Sequence, residues 1–93
     1  MDKFDELKKI RFDKNLRKIF TNRKFLLLFV SLAYNILVGN IKLKNKKKLK
    51  KHKHFLVRLA SLEANIEEKI RLIKTISRKK LSKILNLLLD CTK

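Results

Sequence analysis

Lys42, Lys44, Lys46, Lys47, Lys48, Lys50, Lys51 and Lys53 place eight ammonium groups within twelve residues, with His52 and His54 among them. Side chains of that type and spacing do one kind of chemistry well, the neutralisation of phosphate or another repeated anion. Arg58 follows, and Lys69, Arg71, Lys74, Arg78, Lys79, Lys80 and Lys83 form a second basic group that could serve as another cationic face. Between Asp13 and Glu63 there is no acidic residue, so with Lys14, Arg17, Lys18, Arg23 and Lys24 that stretch carries +14 of the chain's formal +18. A surface built for solubility mixes its signs. Excluding carboxylates over forty-nine residues favours a polyanionic partner. The eight lysines, with Arg58, Lys74, Arg78, Lys79 and Lys80, are the candidate nucleic-acid-binding residues.

The choice of cation narrows the mode. Arginine reads guanine through its two-pronged guanidinium, whereas lysine on phosphate is indifferent to sequence, and the basic segment holds Arg58 alone against many lysines. Backbone-dominated, weakly specific binding of duplex DNA is therefore the expectation. Stacking on single strands is disfavoured, because Phe4, Phe20, Phe25, Phe29 and Phe55 fall on apolar faces; Phe12 and Tyr34 are the exceptions. A zinc site built from His52, His54 and Cys91 is not expected, since a His-x-His pair on a helix points its rings about 200° apart. No Ser/His/Asp set, paired carboxylates or glycine-rich phosphate loop is visible. Neither enzymatic activity nor a cofactor is expected.

Helices must position these groups. With no proline and one glycine in 93 residues, the chain has little punctuation for hairpins, and 45% hydrophobic residues suffice for a small core. The fold class expected is all-α, a bundle of four to five short helices forming one small domain over residues 1–93. Residues 1–20 read as an amphipathic helix, broken near Asp13 to Asn15 and potentially peripheral to the bundle. Thr21 or Asn22 can cap a central apolar helix over about 24–38, which Gly39 ends in the left-handed position. Asn45 can cap a basic helix over about 46–60, whose Leu49, Phe55, Leu56 and Leu59 form a narrow inward face beside His52. Asn65-x-x-Glu68 opens a fourth helix with Ile66, Ile70, Ile73 and Ile76 on one face. Ser77 can cap a fifth, in which Leu81, Ile84, Leu85 and Leu88 face inward. Its added Leu87 and Leu89 fit either burial or contact with a second copy of the chain.

The longest apolar run, Phe25 to Val38, is fourteen residues, short of the roughly twenty that span a bilayer. The opening Asp2, Asp5 and Glu6 lack the layout of a secretory signal, and the lone Cys91 suits a reducing compartment. An intracellular, nuclear or nucleoid-associated location is expected. Basic amphipathic helices also bind anionic lipid surfaces, which keeps a membrane-surface or protein-interaction module as the alternative, and a small helical transcription regulator as a further one.

Tyr34-Asn35-Ile36-Leu37-Val38-Gly39-Asn40-Ile41-Lys42-Leu43, then Lys48-Leu49-Lys50-Lys51-His52-Lys53 and Phe55-Leu56-Val57-Arg58-Leu59-Ala60, resembles the small basic proteins of adintoviruses and related Maverick or Polinton elements. In those an apolar helix ends in Gly-Asn-(Ile/Val)-Pro-Leu and leads into a basic Lys-Leu-(Lys/Arg)-(Lys/Arg)-His-Lys helix. They are thought to be similar to adenovirus minor core peptides. The resemblance implies a virion protein that neutralises packaged double-stranded DNA, located in the virion and host nucleus. On that analogy Lys46, Lys47, Lys48, Lys50, Lys51 and Lys53 contact phosphates while Leu49, Leu56 and Leu59 seat the helix. The chain departs from the pattern twice. Lys42 stands where the family has proline, and Ser77-Arg78-Lys79-Lys80 with Leu81 to Leu89 replaces the family's Gly-Gly-Phe segment and apolar C-terminus.

Overall fold

In the computed structural model, which describes residues 4–39 and 46–90, seven helices follow one another and no strand occurs among the described residues. They are α1 (Asp5–Ile10), α2 (Leu16–Ile19), α3 (Arg23–Leu37), α4 (Lys46–Lys50), α5 (Lys53–Ala60), α6 (Ile66–Thr75) and α7 (Arg78–Asp90). The fold is a small all-α bundle, as the composition predicts.

Leu26, Phe29, Leu32, Ala33 and Ile36 recur on α3 at helical spacing and are buried, and α3 packs chiefly on α5, with α1 and α7 against it. The Asn22 side chain accepts the Lys24 N–H at 2.9 Å, capping the N-terminus. Gly39 sits at φ +84° just past the end, and its N–H donates to the Ile36 carbonyl at 3.2 Å. A Cβ there would meet nothing within 4 Å, so the position demands left-handed backbone rather than space. Phe20 stacks on Phe29 at 4.6 Å between ring centroids, and Phe55 lies at 6.3 Å from Phe29.

The N-terminal segment breaks where the sequence indicates. Asp13 accepts the Asn15 N–H at 2.8 Å, turning the chain between α1 and α2. Phe4, Leu7, Leu16 and Phe20 are all buried in the core, and α2 packs against α7.

The basic helix differs from expectation. Instead of one element over 46–60 there are two, with the break at Lys51 and His52; the His52 N–H donates to the Leu49 carbonyl at 2.9 Å and α5 restarts at Lys53. A continuous helix would stack like-charged pairs across the break, Lys47 with Lys51 and Lys50 with Lys53, with no carboxylate between them.

Asn65 accepts the Glu68 N–H at 2.9 Å and Ser77 accepts the Lys80 N–H at 3.2 Å, so both later helices begin at their expected caps. On α7, Leu81, Ile84, Leu85, Leu88 and Leu89 are buried and Leu87 is half-buried, so its broad apolar face packs within this chain. The exposed large apolar side chains lie elsewhere: Phe12, Leu27, Tyr34, Leu37, Val38, Val57 and Leu62. Among the described residues no helix is long and apolar enough to cross a membrane.

Candidate nucleic-acid interface

A five-residue helix with four lysines has no stability of its own. What seats α4 is Leu49, 5% exposed and part of the core, while Lys47, Lys48, Lys50 and Lys51 stay in water. Because α4 packs on α7, the first basic group comes to lie beside the second. Lys48, Lys51, His52 and Lys83 line one concavity of about 580 Å³, together with Asn86, Leu87 and Asp90. The one carboxylate there among the described residues is engaged: Arg11 reaches Asp90 at 3.2 Å and also donates to the Asn86 side-chain oxygen. Asn86 in turn donates to the Ser82 carbonyl at 2.8 Å, which fixes the orientation of its amide.

His52 reports the field in this concavity. Burial holds its pKa below the ordinary 6.5, and Lys80, Lys83 and Lys51 push it down further. Its Nδ1 is buried and has no hydrogen-bond partner among the described residues. His54 is exposed. Among the described residues no three His, Cys, Asp or Glu side chains gather, and Cys91 lies outside those residues.

A second cleft, about 530 Å³, opens where α2 meets the junction of α6 and α7. Lys14, Arg17, Lys18, Lys74 and Arg78 line it, with Asn15 and Thr21. Among the described residues no carboxylate lines it, and Asp13, next to Lys14 in the chain, accepts the Asn15 N–H. Among the described residues none of the five cations forms an ion pair; the pairs present are Asp5–Lys8, Glu6–Lys24 and Asp90–Arg11.

The remaining candidates divide. Lys79 and Lys80 are exposed on the first turn of α7, and Lys53 is exposed at the start of α5. Arg58 is exposed too but lines a separate cleft with Glu63 and Glu68, where the charges are mixed. Lys42, Lys44 and the side chain of Lys46 lie outside the described residues. Lys69, from the second basic group, does not reach the surface. It is 7% exposed, and its Nζ donates at 2.6 Å to the carbonyls of Leu59 and Ser61, closing the C-terminal end of α5. Burial lowers its pKa, and neighbouring Glu68 pulls it partly back.

Lys14, Arg17 and Lys18 are the cations whose place in a site the sequence left unassigned. A signal existed, since Leu16 and Phe20 must face inward and so turn Arg17 and Lys18 outward. Of the aromatics, Phe12 is 77% exposed with the Arg11 guanidinium 5.0 Å from its ring centroid, and Tyr34 is 41% exposed.

The chain matches no family model, no curated protein and no solved structure.

Proposed function

We propose that this protein binds duplex DNA through its phosphates, with little sequence preference, and helps to condense or package it, without catalytic activity. The observation that carries the reading is the convergence of the two basic groups: α4 and the turn after it bring Lys48 and Lys51 into one concavity with Lys83 of α7, with Lys80 near enough to act on His52, and among the described residues the one lining carboxylate, Asp90, is engaged by Arg11. Mutual repulsion makes such an arrangement unfavourable in the free protein, and a polyanion relieves it. The lysine-rich, arginine-poor composition fits contacts with the backbone rather than with base edges. Extents of 29 × 28 × 24 Å match about eight base pairs at ~3.4 Å each. The resemblance of residues 34–60 to adintovirus proteins extends the reading to a virion core protein, with a packaged genome as the duplex and the host nucleus as its setting.

A lipid surface is the alternative that lysine alone does not discriminate. The leucine faces it would need, Leu7 on α1, Leu49, Leu56 and Leu59 on α4 and α5, and Leu81 to Leu89 on α7, are occupied by the core apart from half-buried Leu87, which supports the duplex instead. Competition between duplex DNA and anionic vesicles across salt tests the choice. DNA should win, with a slope of log affinity on log salt of about −5 to −9 for roughly six to ten phosphates. Reversing Lys47, Lys48, Lys50 and Lys51 to Glu should weaken binding evenly across sequences and flatten that slope; unchanged binding refutes α4 as the contact surface.

A further inference from the structure

The cleft between α2 and the α6–α7 junction lies apart from the lysine helix and joins cations that are some sixty residues distant in sequence. We infer that it is a second anion site, built for a cluster of two or three adjacent phosphate groups. Three segments supply its charge: Lys14 from the α1–α2 turn, Arg17 and Lys18 from α2, and Lys74 and Arg78 from the end of α6 and the start of α7. Holding five cations that form no ion pair among the described residues around one concavity opposes the packing of α2 on α7, and a phosphate cluster relieves that strain on binding. Two of the five are arginines, whose forks take phosphate oxygens in pairs, in contrast to α4, whose cations are all lysines. The amide of Asn15 makes no capping bond at the start of α2 and can serve as a further donor, while the Thr21 hydroxyl donates to the Lys18 carbonyl at 2.6 Å and braces the wall.

The site goes beyond the lysine-helix reading and does not depend on it. Its ligand chemistry has two sources, a free polyphosphate or the backbone of a nucleic acid, and with the second source each chain would carry two separate faces for DNA. The probes are inorganic tripolyphosphate and, in parallel, a short duplex of about twelve base pairs, slightly more than one helical turn. Tripolyphosphate should bind one to one at low salt and shift the backbone amide resonances of Asn15, Arg17, Thr21 and Arg78. Arg17→Ala with Arg78→Ala should weaken it at least ~10-fold, or about 1.4 kcal/mol. Arg17→Lys with Arg78→Lys, which keeps the charge, should recover part of the loss. Lys9→Ala with Arg23→Ala removes the same charge from exposed positions outside the cleft and should change the affinity less than ~2-fold. Equal weakening by the two alanine pairs, or scattered resonance shifts, would overturn the site, because a diffuse field of +18 then accounts for the binding. Loss of tripolyphosphate binding with duplex binding intact assigns the cleft to free polyphosphate; loss of both assigns it to the nucleic-acid backbone. Failure of the protein to bind duplex at all, with tripolyphosphate still held, refutes the DNA reading and leaves the cleft standing.

Discussion

Lysine does opposite work on α4 and on α6. On α4, Lys47, Lys48 and Lys50 stand in water around a single inward Leu49, repel one another and contribute nothing favourable to folding. On α6, Lys69 is buried, and its ammonium closes two carbonyls at the end of the neighbouring helix. A charge total therefore overstates the cationic surface, because at least one of the cations, Lys69, is buried and structural. It also conceals where the charge is concentrated, since the α2–α7 cleft draws on Lys14, Arg17 and Lys18, which are unremarkable in sequence beside the lysine run.

The contrast would break first at Leu49. Replacing it with Ala should remove about 3 kcal/mol from the seating of α4, and because that helix is five residues long with Leu49 as its buried anchor, the loss should appear as faster amide exchange over 47–52 before any change in the global melt. Duplex binding should weaken as well, although no charge has been touched; unchanged exchange would show that α4 does not depend on its one apolar anchor. Next comes the lysine pair. Lys69→Met should cost about 2 kcal/mol through two unpaired carbonyls while leaving the salt slope of DNA binding alone. Lys50→Met should alter stability by less than about 0.5 kcal/mol and reduce the slope by about one. If both variants behaved alike in denaturant, the distinction between structural and binding cations would fail.

The smallest effect is the pH response of His52. Its pKa in the fold lies below 6.5, its value when unfolded, so the unfolded chain binds the extra proton as pH falls past 6.5. The stability associated with neutral His52 is full above pH 6.5 and declines between there and the lower folded value. His52→Gln should flatten that part of the pH–stability profile. Duplex phosphates beside Lys51, Lys80 and Lys83 would reverse the local field and favour the imidazolium, so wild-type affinity should rise on acidification and that of the variant less. A parallel rise in both would mean that His52 does not sense the bound anion.

Much of the fold was legible because local rules and tertiary demand agree. Asn22, Gly39, Asn65 and Ser77 mark helix ends that the structure keeps, and the inward residues of α3 and α7 follow helical spacing. The break at Lys51 and His52 was not legible, because accumulated repulsion between like charges leaves no Gly or Pro to mark where the helix yields. Lys69 gave a readable clue that its charge outweighed, for it lies three residues after Ile66 and four before Ile73, on the apolar stripe of α6. The α2–α7 cleft could not be read along the chain, since only the docking of α2 on α7 brings Arg17 and Lys18 to Lys74 and Arg78.

That docking also has a kinetic meaning. α2 meets α7 across some sixty intervening residues, a long loop for the fold to close, and closure presses two cationic segments together. The step should be late and slow in the absence of counterions, and the refolding rate should increase with ionic strength, most steeply when the added anion is one the cleft can hold. A polyphosphate would then act as a folding template as well as a ligand.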